Sequence, residues 1–379
     1  MYKFSAPMPY TKDDINKILD INKQVEKSKI TSLYFSLPYT CELFTGFEQD
    51  RNKVLKNWDY WKKLIEFSLS KNTDLIYLLN SPRQLNIDNI VFAQQLEKLD
   101  RLLFELKKLG INKLRIAEHK LMSYIADNYN NFEIYASTSF EFKSLMEYQN
   151  FIFMHSTVKQ IVPSHDSTKN FKLLKNLKKL LPNIEIELIV NEGCINGCPN
   201  RIGHASEIMS KHIIHKNDIN LSNLYFTNNF CIKYENQNPI LAFIKSNKIF
   251  PWEIQEYNKI GINKFKLVGR DAFDNNFNKY IQYYKTYLKG VEDYKNIENT
   301  PIHKLVHHLP REEVFMNFKV NEIRKYLPDI KFFRKHGELC SVNCSINCNY
   351  CYNCAAKLQK FYKIKQLEYI KYKKQICYT

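Results

Sequence analysis

From residue 31 to about residue 270, short and almost continuously apolar runs alternate with longer amphipathic stretches. This rhythm restricts the possible folds more than any other feature. Eight runs read as strands: Thr31–Leu37, Asp74–Asn80, Lys113–Glu118, Phe132–Ala136, Val158–Pro163, Glu185–Val190, Asn223–Thr227 and Lys264–Gly269. Runs of this kind suit parallel strands covered on both faces. Between them, stretches such as Phe92–Leu109 repeat apolar residues at three- and four-residue steps, with Lys and Glu on the other side. Eight strand–helix units predict an α/β fold, a closed (β/α)8 TIM-like barrel. An open doubly wound sheet is the competing architecture. Against it, no strand is followed by a G-x-G-x-x-G turn, and there is no phosphate-loop motif.

Beyond about residue 272 the pattern changes. Helical stretches at Phe277–Leu288 and Lys319–Tyr326 flank a polar linker, and a cysteine-dense segment leads into a lysine-rich helix. The expected division is a barrel at 1–290 and a small helical, cysteine-rich C-terminal domain at 291–379. Apolar runs such as Leu75–Leu79 are far shorter than the roughly 18–20 residues that span a bilayer. The N-terminal residues lack the apolar core of a signal peptide, so a cytoplasmic location is expected. There clustered cysteines more often bind metal than pair as disulfides.

Lys and Arg exceed Asp and Glu by 17. A basic surface attracts phosphates and acidic groups. However, frequent Lys, Asn, Ile and Tyr are also what AT-rich coding produces, which weakens the inference of a nucleic-acid partner. Residues 355–379 hold seven lysines and one glutamate. This reads either as a solvated helix face or as a contact for an acidic partner.

The strongest chemical signal is Cys340-x3-Cys344-x3-Cys348-x2-Cys351-x2-Cys354, five of the ten cysteines within fifteen residues. Such spacing lets thiolates converge from one compact loop, as in tetrahedral zinc sites and iron–sulfur clusters. A second signal follows directly on the strand Glu185–Val190, where Asn191-Glu192-Gly193-Cys194 leads to Gly197-Cys198. In a barrel the C-terminal strand ends form the active face, which would bring Cys194 and Cys198 to the mouth. Cys231, just beyond Asn223–Thr227, is expected on the same face. Three barrel cysteines and five in the tail make the eight thiolates that two four-iron clusters require. In this arrangement Cys340 completes the barrel site, and Cys344, Cys348, Cys351 and Cys354 hold the second cluster. The alternatives are a three-cysteine barrel site with an open coordination position, and zinc in the tail. Cys41 and Cys377 read as incidental thiols.

From about Thr31 to Tyr287 the sequence resembles the collagenase-like peptidase family. The matching elements are Ile161-Val162-Pro163-Ser164, then Asn191-Glu192-Gly193-Cys194, Cys198-Pro199 with His204, and Pro251-Trp252-Glu253-Ile254. The most specific is Gly261 to Arg270, with Phe265-Lys266 and Gly269-Arg270 at the family spacing. Its acidic position is occupied by Val268, and the five-cysteine tail has no counterpart in the core family. The resemblance implies iron–sulfur redox chemistry as much as proteolysis. Relatives are associated with oxygen-independent hydroxylation of RNA bases and of ubiquinone precursors.

The residues themselves supply no H-E-x-x-H and no recommended Ser/His/Asp or Cys/His set. Arg270 could hold a carboxylate or phosphate, Arg201 and His204 could support cluster sulfurs or move protons, and Glu118 could act as a base at its strand end. His307-His308 reads as a solvated helix end. The expected function is an iron–sulfur oxidoreductase acting on a larger or aromatic substrate (RNA, a quinone precursor or a peptide), with an electron donor and a partner subunit as candidate partners. The competing expectations are a zinc-binding, nucleic-acid-interacting protein and a peptidase.

Overall fold

The computed structural model describes residues 1–37, 57–80, 89–198, 201, 237–269, 277–305, 315, 318–337 and 348–376. Eight parallel strands close into a barrel in chain order. The first half runs β1 (Tyr2–Pro7), α1 (Lys12–Asp20), β2 (Ser28–Phe35), α2 (Trp58–Ser70), β3 (Asp74–Leu79), α3 (Asn89–Lys108), β4 (Lys113–Ile116) and α4 (His119–Asn128). The second half runs β5 (Glu133–Ala136), α5 (Leu145–Met154), β6 (Val158–Ile161), α6 (Phe171–Leu180), β7 (Glu185–Ile189), α7 (Pro239–Lys245), α8 (Ile254–Asn258) and β8 (Lys264–Lys266).

The expected (β/α)8 barrel is therefore present, with one strand reassigned. Tyr2–Pro7, unrecognised in the sequence, is the first strand and pairs with both β2 and β8. Asn223–Thr227 lies outside the described residues. The barrel closes without it, because Glu187, Leu188 and Ile189 of β7 pair directly with Lys264, Phe265 and Lys266 of β8.

Strand side chains alternate between two environments. Phe4, Leu33, Leu75, Leu114, Ile134, Leu188 and Phe265 face outward into the main core against the helices. Each such side chain contributes about 1.5–3 kcal/mol by leaving water. The opposite positions face the lumen, where Tyr34, Ile76, Leu78 and Tyr135 form a small cluster of their own. Polar and charged side chains share the lumen with them. Arg115 on β4 pairs with Glu187 on β7 at 2.5 Å and also donates to Gln160 on β6. Ser5 on β1 donates to the other Glu187 oxygen at 2.7 Å. Lys266 stands 4.4 Å from the centre of the Tyr34 ring.

After the barrel come α9 (Phe277–Glu292), α10 (Val320–Ile323), α11 (Ile330–His336) and α12 (Tyr350–Ile376). The expected boundary near residue 290 falls inside α9. That helix is tied to the barrel by Glu292, which accepts from the Ser28 amide and hydroxyl at 2.8 and 2.6 Å. A second apolar cluster joins Ile302, Phe318, Ile323 and Leu358 to Phe243 and Ile244 of α7. Thus the helix following the β7 loop belongs as much to the C-terminal region as to the barrel. No helix among the described residues is long and apolar enough to cross a membrane.

Candidate functional site

The site grows from the C-terminal end of β7. Asn191, 2% exposed, locks that end to β8 with its side-chain amide. Nδ2 donates to the Val268 carbonyl at 2.9 Å, and Oδ1 accepts the Val268 amide at 2.8 Å. The chain then turns through Glu192 and Gly193. The Cys194 amide donates to Glu192 Oε1 at 3.3 Å, and its carbonyl accepts from the Asn247 amide at 3.1 Å. Ile195 and Ser246 form an antiparallel bridge. At Gly197 φ is +70°, a left-handed conformation that glycine adopts without strain. Its amide donates to Asp166 Oδ1 at 2.8 Å, and the Cys198 amide closes the turn on the Ile195 carbonyl at 3.2 Å. Both thiols therefore sit on one pinned turn.

Charged groups from the same loop and from the loops after β5 and β6 surround it. Arg201 donates to Asp166 Oδ1 at 2.7 Å and to the Ile195 carbonyl at 2.8 Å, and it contacts Glu141 Oε2 at 3.4 Å. Its positive charge also favours the thiolate form of Cys194. His165 bridges two carboxylates, with Nδ1 2.9 Å from Glu141 and Nε2 3.4 Å from Glu192. Burial alone would pull His165 down, but hydrogen bonds to Glu141 and Glu192 push it up to about 9. It is thus a cation at neutral pH. Asp166 is held below the usual carboxylate range by Arg201, against the upward push of burial. Burial, then the Glu192 carboxylate, push the Cys194 thiol well up, and Arg201 only partly opposes them. Left to itself, Cys194 is a neutral thiol rather than a nucleophile, since reactivity follows the thiolate.

The sequence expectations fare unevenly. Cys194, Cys198 and Arg201 come together. Cys231, His204, Arg270, Cys340, Cys344, Cys41, Cys377 and the pair His307-His308 lie outside the described residues. Glu118 is the N-cap of α4, its Oε2 accepting the Leu121 amide at 2.6 Å, which accounts for that carboxylate structurally. Sequence reasoning missed Glu141, His165 and Asp166, and it quoted Glu192 in the Asn191–Cys194 element without giving it a role. A signal existed for two of them, since His165-Asp166 follows directly on Pro163-Ser164 at a strand end.

In the tail, Cys348 precedes α12, and Cys351 and Cys354 lie one turn apart on it, hence on the same side. Burial pushes the Cys354 thiol up, against Lys357 and a hydrogen bond with Tyr350. The two cysteine groups are linked through α7. The Lys245 carbonyl accepts the Asn196 amide at 2.9 Å, while the Lys245 ammonium stands 5.2 Å from the ring centre of Tyr352 on α12. Among the described residues, no three His, Cys, Asp or Glu side chains converge as a complete metal-ligand set.

No protein-family model matches the chain. A relative named as an uncharacterized protease, from Methanocaldococcus jannaschii, is 24% identical over 266 residues, covering 68% of this chain and 72% of its own length. Among solved structures, one described as a U32 peptidase overlaps 71% of this chain and 93% of its own, at 10% identity and a TM-score of 0.48. An N-acetylneuraminate lyase from Fusobacterium nucleatum overlaps 68% and 97%, at 15% identity and a TM-score of 0.32.

Proposed function

We propose that this relative of the collagenase-like peptidase family is an iron–sulfur-dependent redox enzyme that oxidatively modifies a larger or aromatic substrate. RNA, a quinone precursor or a peptide would fit that description. The observation that carries the reading is the placement of Cys194 and Cys198 on one pinned turn at the barrel mouth, with the Arg201 guanidinium held against that turn through the Ile195 carbonyl.

The donor set suits a cationic group. Glu141, Asp166 and Glu192 outnumber His165 and Arg201 by one charge, and the half-buried thiols lie in their field. A bound cation lowers the energy of a coordinating thiolate and so offsets the environment that keeps Cys194 protonated. Cys194 and Cys198 would hold the barrel cluster together with Cys231 and Cys340. Cys344, Cys348, Cys351 and Cys354 would hold the second. When bound, such clusters supply one-electron transfer and an electrophilic iron. The remaining roles belong to the protein. Arg201 would place its positive charge beside a ligand sulfur, which tunes a cluster's potential. Glu192 fixes the Cys194 amide. His165 keeps a proton on the ring between Glu141 and Glu192. Asn191 holds the mouth between β7 and β8.

Anaerobic purification followed by iron, sulfide and zinc analysis and electron paramagnetic resonance tests the reading. Two clusters give about eight irons and eight sulfides per chain. Cys194→Ala and Cys348→Ala should each remove about half. A colourless protein holding only zinc overturns the proposal, and hydrolysis of a generic peptide by iron-free protein would favour the peptidase instead.

A further inference from the structure

Glu141 ties the mouth together from an unfavourable backbone. Its carboxylate meets His165 Nδ1 at 2.9 Å and Arg201 Nη1 at 3.4 Å. Its φ is +50° and its ψ 34°, the left-handed region, which a residue with a side chain enters only at a cost. Such a conformation persists where the surroundings over-determine it. Here those surroundings are aromatic. Phe140 and Phe142, on either side of Glu141, stack at 5.4 Å, and each lies 4.9 Å from Phe151 of α5. Tyr148 packs on Phe142 at 5.3 Å and donates to its carbonyl at 3.1 Å.

Two histidines close this aromatic shelf. His119, the first residue of α4, stands 4.8 Å from the Phe140 ring and 5.7 Å from that of Phe151. His155, which caps the end of α5 and is 6% exposed, stands 5.1 Å from Phe151. The two imidazoles stack at 5.2 Å, with His119 Nδ1 2.9 Å from His155 Nε2. Only one proton fits between those nitrogens. The bond survives while either ring is neutral and is lost when both are charged. Burial pulls both rings below 6.5, His119 lowers His155 further, and Glu118 opposes both shifts without cancelling them. Of the other charged groups on these elements, Glu141 is turned to the mouth, and Glu147 accepts from the Lys143 and Ser144 amides. Lys120, Asp127, Lys143 and Lys159 are exposed.

We propose that His119 and His155 are positioning residues for the mouth, a hydrogen-bonded pair that holds the Phe140 shelf and, through it, Glu141 on His165 and Arg201, and that acid releases this loop. Both rings are neutral at pH 7.5. As pH falls below 6.5, the second proton removes their bond and sets two like charges side by side. Phe140 then loses its support, and Glu141 relaxes from the left-handed region and leaves its partners. This holds whatever the mouth binds.

Hydrogen–deuterium exchange of the full-length protein tests this, read by mass spectrometry at pH 7.5 and 5.0 and corrected for the intrinsic pH dependence of exchange. Peptides covering 137–143 should lose about tenfold in protection at pH 5.0, while those of α9 keep theirs. His119→Asn/His155→Gln installs two amides that make the same bond and do not titrate. Its protection over 137–143 should match the parent at pH 7.5 and persist at pH 5.0. His155→Gln alone should also lose the acid response, because one charge then never meets another. The proposal fails if the parent protects 137–143 equally at both pH values, or if α9 opens to the same extent. It also fails if either variant opens in acid as the parent does.

Discussion

Replacing Glu187 by Gln tests directly whether the lumen is held by charge. The change keeps the shape of the side chain, so little packing is lost. What disappears is the negative charge facing Arg115 at 2.5 Å and, farther off, Lys264 and Lys266. A unit pair at 4 Å is worth about 4 kcal/mol at an effective dielectric of 20. Breaking a buried pair by removing one partner costs about 3–5 kcal/mol. The two figures agree, and both are a large share of the roughly 5–15 kcal/mol that holds a typical fold together. With about 2.1 cal/mol/K of unfolding entropy per residue, a chain of 379 residues shifts by about 1.3 °C per kcal/mol, so the midpoint should fall by about 4–6 °C. Circular dichroism melts and urea titrations read this out. The double variant Arg115→Met/Glu187→Leu should recover most of the loss, because a matched apolar pair removes the stranded charge along with its partner. If Glu187→Gln melts within about 1 °C of the parent, or if the double variant costs the sum of the two singles, the charge argument is wrong.

Two further outcomes are expected. His165 has its folded-state value raised to about 9 from 6.5, so its contribution is complete below pH 6.5 and is lost as pH rises through 9. The effect is on the order of 3 kcal/mol. Urea titrations from pH 6 to 10 should therefore show a decline that flattens in His165→Gln, and an equal decline in both proteins would count against the Glu141–His165–Glu192 bridge. Gly290→Ala would place a Cβ 2.4 Å from Ile297 Cδ1 and 2.9 Å from Pro251 Cβ. Overpacking there should cost about 1–3 kcal/mol, only partly offset by about 1 kcal/mol of helix preference. Ile297→Ala in the same chain should relieve it, as read from urea midpoints.

Much of the barrel is legible in the sequence because its strands are sheathed on the outside by helices. Leu75 to Leu79 shows this as an apolar run. The first strand was not legible, since Tyr2-Lys3-Phe4-Ser5-Ala6-Pro7 places small and polar residues where a run was sought. Ser5 is polar because it faces Glu187. The same cause hides the lumen. Lys264-Phe265-Lys266 and Glu185-Ile186-Glu187 alternate as half-exposed strands do, and nothing local says that the charged side turns inward. That becomes visible only when β4, β6, β7 and β8 are set around one axis. The sequence could group the thiols with Arg201 because they lie within eight residues of one another. Glu141, His165 and Asp166 come from other loops, so only the closed barrel brings them to the Cys194 turn.

The C-terminal region bears on the same turn, which gives a physical reason for its cysteines to be read together with those of the barrel. Lys169, in the loop after β6, donates to the Ser246 carbonyl at 2.7 Å and stands 5.0 Å from the ring centre of Phe333 on α11. Gly337 comes so close to the Lys169 carbonyl that a Cβ there would lie 2.2 Å from it. Ser246 bridges Ile195, and Lys245 reaches both Asn196 and Tyr352. The backbone around Cys194 and Cys198 is therefore braced from one side by β7 and β8 and from the other by helices that the barrel alone does not possess. If the two thiols hold a cluster as proposed, bracing on both sides matters, because a displacement of about 1 Å is enough to spoil a ligand set. The tail that carries the second cysteine row thus also steadies the first.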